Sequence, residues 1–250
     1  ALAGAVAGAV NALAGGGTLL TFPTLLFFNT SSVVANATST LALLIGTSGS
    51  VYGFRRHLDK VKPWLWRFLP ASLLGGLAGS ILLSFTQEKL FSQLVPFLIL
   101  FATVLFTAQG IIKKLLGLDG SSQHQPKPHS VWAAILFQFV VSVYGGFFGA
   151  GIGILMLATL GFLGMKDVHE MNTIKTILSS VINAVAAVWF IAAGLIHWPK
   201  MGVMASGALV GYYFGSHFSQ KISQKRVRQM ITTIGFVISA AIFYREFLAR

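Results

Sequence analysis

The chain has 250 residues, is 55% hydrophobic and only 10% charged, and carries a formal net charge of +12. A water-soluble domain needs far more polar surface, so a soluble enzyme or binding module is excluded. The positive charge does not indicate nucleic acid as a partner, because most Lys and Arg residues stand in loops between apolar runs, where they mark the cytoplasmic side and meet anionic headgroups.

Eight apolar segments are predicted, at 1–29, 32–54, 64–86, 90–112, 131–164, 169–197, 201–220 and 227–247. Several are long enough for the roughly 20 helical residues that cross a bilayer core. No charge precedes Arg55, and without a charged n-region the first segment does not read as a cleavable signal peptide. The first segment is interrupted between Asn11 and Thr18 by Gly15, Gly16 and Gly17. The second carries Asn36, Thr38, Ser39, Thr40, Thr47, Ser48 and Ser50, and the third has Gly75 and Gly79 at GxxxG spacing. A polar stretch at 118–130, rich in Ser, Gly and Pro, suits an exposed linker. Beyond it the fifth segment is interrupted by Gly145, Gly146, Gly149, Gly151 and Gly153. The sixth carries Asn172, Thr173, Lys175, Ser179, Ser180 and Asn183, and the seventh repeats the GxxxG spacing at Gly211 and Gly215.

That order contains a faint duplication. An offset of 136 pairs Gly75–Ser80 with Gly211–Ser216, Lys89 with Lys225 and Gln93 with Gln229. An offset of 135 sets the first glycine break on the second, Thr38 on Thr173, Ser48 on Asn183 and Thr40 on Lys175. The domain reading is a first membrane repeat at 1–117, a linker at 118–130 and a second repeat at 131–250.

Whether the repeats are parallel or inverted depends on the first segment of each. If all eight segments cross, the halves are parallel and the basic residues divide 11 to 6 between the two sides, with Lys175 inside the membrane. If 1–29 and 131–164 each enter and return as a broken hairpin, the halves are inverted and the division becomes 13 to 4. The second count obeys the positive-inside rule better. The expected fold is therefore an all-α polytopic membrane protein of two homologous, inverted repeats with broken or re-entrant first segments.

Paired glycine-interrupted segments at matching places in two membrane halves point to a transporter, with the solute near the bilayer midplane. A half-helix starting at such a break aims its positive dipole end and free N–H groups at an anion. Close helix packing explains single glycines equally well, and Gly75/Gly79 and Gly211/Gly215 are assigned to packing. Hydroxyls and amides three or four residues apart share one helix face and suit the oxygens of a small solute. Such side chains also often bond only their own backbone. Lys175 is an ionisable group about a turn and a half inside its segment, which makes it a candidate for anion binding, with snorkelling to the interface as the rival reading. The candidate solute-binding residues are Asn11, Gly15, Gly16, Gly17, Thr18, Thr38, Ser39, Thr47, Ser48, Gly149, Gly151, Gly153, Asn172, Thr173, Lys175, Ser179 and Asn183.

All six carboxylates (Asp59, Glu88, Asp119, Asp167, Glu170 and Glu246) map to loops or segment ends, which disfavours a cation transporter. With no cysteine and no His pair at metal spacing, no metal or other cofactor is called for, and no nucleophile–base arrangement suggests an enzyme. His169 and His197 stand at helix ends.

The glycine-rich break before Pro23, the run Ala35-Asn36-Ala37-Thr38-Ser39, and the second-half run Asn172-Thr173-Ile174-Lys175 resemble the sulfite exporter TauE/SafE family. So do Gly194-Leu195-Ile196-His197-Trp198 and the duplicated small-residue segments near 75 and 211. The resemblance covers essentially the whole chain. It implies a multi-pass permease of a bacterial or archaeal cytoplasmic membrane that moves sulfite, organosulfonates or related sulfur anions. The first break departs from an all-glycine form by carrying Asn11 and Thr18.

The resulting expectation is a secondary transporter, an exporter of a small sulfur-containing anion, working by rocking of the repeats. Its partners are that solute and the lipid bilayer, with a homo-oligomer left open. An anion channel using the same donors is the alternative, and a membrane enzyme or assembly factor of sulfur metabolism ranks last.

Overall fold

The computed structural model describes residues 1–13, 16–53, 58–115, 128–163, 165, 167–218 and 224–248. Among these residues all regular structure is helical: α1 (Leu2–Leu13), α2 (Thr18–Phe27), α3 (Ser32–Gly53), α4 (Leu58–Phe85), α5 (Glu88–Leu115), α6 (Pro128–Phe147), α7 (Ile152–Phe162), α8 (Val168–Ala192), α9 (Trp198–Phe218) and α10 (Gln224–Phe243). A π-helical turn, Tyr244–Leu248, closes the described chain. The first and fifth predicted segments are the two that split, into α1/α2 and α6/α7, and each split falls at its glycine cluster. Most of the linker predicted at 118–130 lies outside the described residues.

Among the described residues, four helices are long and apolar enough to cross a membrane: Val61–Phe85, Glu88–Ala108, Glu170–Ala192 and Gln229–Leu248. At about 15 and 16 Å, α2 and α7 reach only about half of a 30 Å hydrocarbon core. Along α5, Leu90, Leu94, Phe97, Phe101 and Val104 form an exposed apolar stripe; along α6, Trp132, Leu136 and Val140 do the same. Exposed stripes of this kind are wet and costly in water but matched to lipid.

Helix ends are closed by local chemistry. Asp167 caps α8 by accepting the Glu170 N–H at 3.3 Å. At the far end of α8, Gly194 takes φ +69, and the Leu195 N–H returns to the Phe190 carbonyl at 2.9 Å. Asn29, at φ +54, ends α2 in the same way, with Thr30 N–H on Leu25 O at 3.1 Å. Both are Schellman endings. Glu88, in the first turn of α5, receives the Ser32 N–H and hydroxyl and, at 3.1 Å, the Val33 N–H, so a side chain from one helix caps the start of α3.

The helices from the two ends of the chain interlock. Helix α1 lies along α9: a Cβ at Gly4 would overlap the Met204 carbonyl, one at Gly8 the Ala208 carbonyl, and one at Gly211 the Ala5 carbonyl. The contacts advance together, so α1 and α9 run in the same direction. Helix α4 lies along α6 in the same manner, with Gly75 on Phe139 and Ser142 and Gly79 on Val143. Close backbone approach at small residues is the usual way that membrane helices gain packing energy, and it is the role expected for both GxxxG pairs. By contrast α5 and α10 run in opposite directions, because Gly235 meets Thr103 while the Ser239 hydroxyl reaches Pro96 O at 2.8 Å. In the centre, α3 and α8 bury residues 136 apart: Ala35 and Met171, Ala37 and Thr173, Thr38 and Ile174, Ala42 and Leu178.

Candidate functional site

The two breaks are built differently. At the first, Asn11 Oδ1 accepts the Gly17 N–H at 3.4 Å, and the Thr21 hydroxyl donates to Gly17 O at 3.2 Å. Thr21 also bonds Ser39 at 2.5 Å, which fastens α2 to α3. The ring of Phe106, fully buried on α5, lies directly over Gly16: a Cβ there would stand 2.7 Å from Cζ. Thr18 opens α2, and Gly15 lies outside the described residues.

The second break is held by backbone conformation. Gly149 and Gly151 take φ +81 and +82, a region that L side chains enter only at a cost. The Tyr144 hydroxyl donates to Ala150 O at 2.7 Å and braces the loop. No partner among the described residues takes the N–H groups of Ala150 and Gly151. Unsatisfied donors at membrane depth are costly, so such a loop normally faces water or a ligand. Gly151 rests on Ala102 and Leu105 of α5, one turn from the Phe106 that covers Gly16, so both breaks meet the middle of that helix. Phe22 of α2 and Phe148 of the second break make an edge-to-face contact at 5.5 Å between centroids, joining the two broken segments.

Helices α3 and α8 present amides, hydroxyls and one ammonium to these breaks. Asn36, buried on α3, donates from Nδ2 to Phe147 O at 3.0 Å, at the last residue of α6. Thr38 accepts the His197 N–H at 3.0 Å and so fixes the start of α9. On α8, Lys175 lays its aliphatic stem against Gly153, where a Cβ would be 3.2 Å from Cδ, and its ammonium donates to Asn172 Oδ1 at 3.0 Å. Asn183 Oδ1 lies 4.0 Å from where a Cβ on Gly149 would stand. Ser179 donates to Met156 Sδ at 3.3 Å, and Thr173 is fully buried. Further along α3, Thr47 donates to Leu43 O at 2.8 Å, and the exposed Ser48 to Ile45 O at 2.8 Å, both within their own helix.

Of the residues singled out in the sequence, then, Gly149, Gly151, Gly153, Lys175, Asn172 and Asn183 gather around the second break, and Asn11, Gly16, Gly17 and Ser39 around the first. Thr38 works at the α9 start, and Thr47 and Ser48 bond their own turn. Phe106, Tyr144 and Thr21 were not singled out, although each shapes a break. Tyr144, directly before Gly145-Gly146, carried the one readable signal, a phenol beside a helix end in an apolar run.

A cavity of about 960 Å³ lies elsewhere, between α2, the turn 29–32, the start of α5 and α10. Its walls include Leu20, Pro23, Ile238 and Ile242, with Ser32, Glu88 and Arg245 among the polar residues that line it. Lys200 closes the neighbouring turn by donating from Nζ to Phe28 O and Thr30 Oγ1, both at 2.8 Å. The breaks thus bring backbone N–H groups, amide groups and one ammonium together at the start of a half-length helix.

Comparison with known proteins agrees in kind. Over 249 residues the chain is 28% identical to a "Probable membrane transporter protein" of Haemophilus influenzae, covering 97% of this chain and 92% of that one. Identity to "Probable membrane transporter protein YfcA" of Escherichia coli K12 is 26%, covering 96% and 86%. Identity to "Probable membrane transporter protein YunE" of Bacillus subtilis is 24%, covering 96% and 95%. No solved structure matches. The family profile described as "Sulfite exporter TauE/SafE" matches residues 1–242, which carries the resemblance seen in the glycine breaks and the two Asn/Thr helices across nearly the entire chain. The chain is a multi-pass membrane transporter and belongs to the sulfite exporter TauE/SafE family.

Proposed function

We propose that the protein is a secondary carrier in the cytoplasmic (inner) membrane that exports a small sulfur-containing oxyanion, such as sulfite or an organosulfonate, by alternating access. The observation that carries this reading is the second break. There the unpartnered N–H groups of Ala150 and Gly151 and the left-handed glycines precede α7, with Lys175 against Gly153 and Asn183 against Gly149. A compact oxyanion has several acceptor oxygens and no donor requirement, which matches a site of donors and one positive charge. The sulfur chemistry comes from the family to which the chain belongs.

The same reading takes 1–117 and 131–250 as inverted repeats. Supporting it are the split of the first segment in each half and the same-direction pairing of α1 with α9 and of α4 with α6. The opposed directions of α5 and α10, which are equivalents in the two halves, also support it. Inverted repeats meeting at broken helices are a common basis of alternating access.

The test is uptake into proteoliposomes of sulfite, taurine, sulfoacetate, thiosulfate and sulfate, with a neutral solute as control. Saturable uptake of one sulfur anion is expected. Large unitary currents in place of saturable turnover would replace the carrier with a channel, and no uptake by correctly inserted protein would remove the sulfur-anion assignment.

A further inference from the structure

Asn36 on α3 and Asn172 on α8 belong to the matching polar runs of the two halves, but their side-chain oxygens are treated differently. Asn172 Oδ1 receives the Lys175 ammonium at 3.0 Å. Three residues after Asn36, the spacing that separates Lys175 from Asn172, α3 carries Ser39, a neutral side chain engaged with Thr21. Asn36 is 1% exposed, its amide nitrogen is committed to Phe147 O, and its Oδ1 has no hydrogen-bond partner among the described residues. Turning the amide over does not help, because two carbonyl oxygens would then face each other. A buried oxygen of this kind is costly to leave without a donor or a cation.

We infer that Asn36 Oδ1 is a ligand for a monovalent alkali cation of sodium size, which fills in the first half the role that the Lys175 ammonium fills in the second. The surroundings suit such an ion. Asn36 abuts the C-terminal end of α6, where helix carbonyls carry negative partial charge and unwound backbone offers hard oxygen ligands. Among the described residues, the side-chain hydrogen bonds at Asn36 are to the Phe147 carbonyl and from the Thr40 hydroxyl, with no carboxylate among them to offset a divalent charge. Asn36 and Lys175 touch opposite ends of one loop, at Phe147 and Gly153. Two positive charges so placed repel each other when alone and both attract an anion between them. Cation and anion therefore strengthen each other's binding, and by linkage the effect is reciprocal. This coupling rests on the anion-carrier reading above; the cation site rests on the unpartnered oxygen alone.

The first measurement is the melting temperature of the purified protein in sodium, potassium and choline chloride at equal ionic strength, without any sulfur anion. Sodium is expected to raise it saturably, by about 3 °C or more over choline, and Asn36→Ala to lose that increment. A wild-type protein without a sodium-specific increment, or an Asn36→Ala variant that retains it, would overturn the site and leave Oδ1 to a water molecule. If Asn36→Ala does not fold, equilibrium binding of radioactive sodium to the wild-type protein decides: saturable binding supports the site and none overturns it. Proteoliposomes separate the two proposals. A sodium increment without uptake of any sulfur anion keeps the cation site and removes the transport assignment, whereas uptake that is equal in sodium and choline keeps transport and overturns the coupling.

Discussion

The two glycine breaks occupy matching places in the chain and end up with opposite characters. The first is closed by side chains: Asn11 takes the Gly17 N–H, Thr21 takes its carbonyl and Phe106 lies over Gly16. The second is shaped by two left-handed glycines, has no side-chain acceptor on its N–H groups among the described residues, and sits beside an ammonium. A glycine run by itself therefore does not specify a binding loop. What decides is whether nearby side chains satisfy the backbone or leave that task to a ligand.

The sharpest way to break this contrast is at Lys175. Lys175→Ala is expected to reduce uptake of the transported anion by about tenfold or more, with expression and membrane insertion unchanged. Uptake equal to wild type would reduce the ammonium to a partner of Asn172. Next in size is Gly151→Ala, which forces a Cβ into φ +82 at a cost of about 1–2 kcal/mol. Both the melting temperature and the uptake rate should fall, whereas an Ala variant as stable as the wild type would mean that the loop relaxes freely. At the first break, Asn11→Ala removes one long hydrogen bond, worth about 0.5–1.5 kcal/mol. It should lower stability slightly and change uptake by less than about threefold; a loss as large as that of Lys175→Ala would move the solute to the first break. The smallest effect belongs to Ser48→Ala. Its hydroxyl is exposed and bonds only its own helix, so stability should stay within about 0.5 kcal/mol and uptake should not change.

Much of this arrangement was legible in the sequence. The apolar runs, the two segments that split, and the Asn/Thr/Ser faces of α3 and α8 follow from hydropathy, glycine clustering and helical spacing. The inequality of the breaks was not. It depends on Phe106, one of 21 phenylalanines with nothing local to distinguish it, reaching Gly16 from α5. The Asn36 contact was hidden for another reason: its partner is the carbonyl of Phe147, 111 residues away, and a backbone carbonyl leaves no mark in the sequence. Ser48 shows the converse limit, because a hydroxyl in the right run still bonds its own turn when nothing else offers a better acceptor.

The same-direction pairs α1/α9 and α4/α6 also set the order in which the protein can be made. The small-residue face of α1 at Gly4 and Gly8 has its partner in Met204 and Ala208, which leave the ribosome about 200 residues later. Until then α1 is in the bilayer without the backbone contact that its glycines were shaped for, and the α4 face at Gly75 and Gly79 waits likewise for α6. Neither half can complete its packing alone. A nascent chain stopped after the linker should therefore remain open to proteolysis, and two halves synthesised as separate polypeptides should recover protection only when made together.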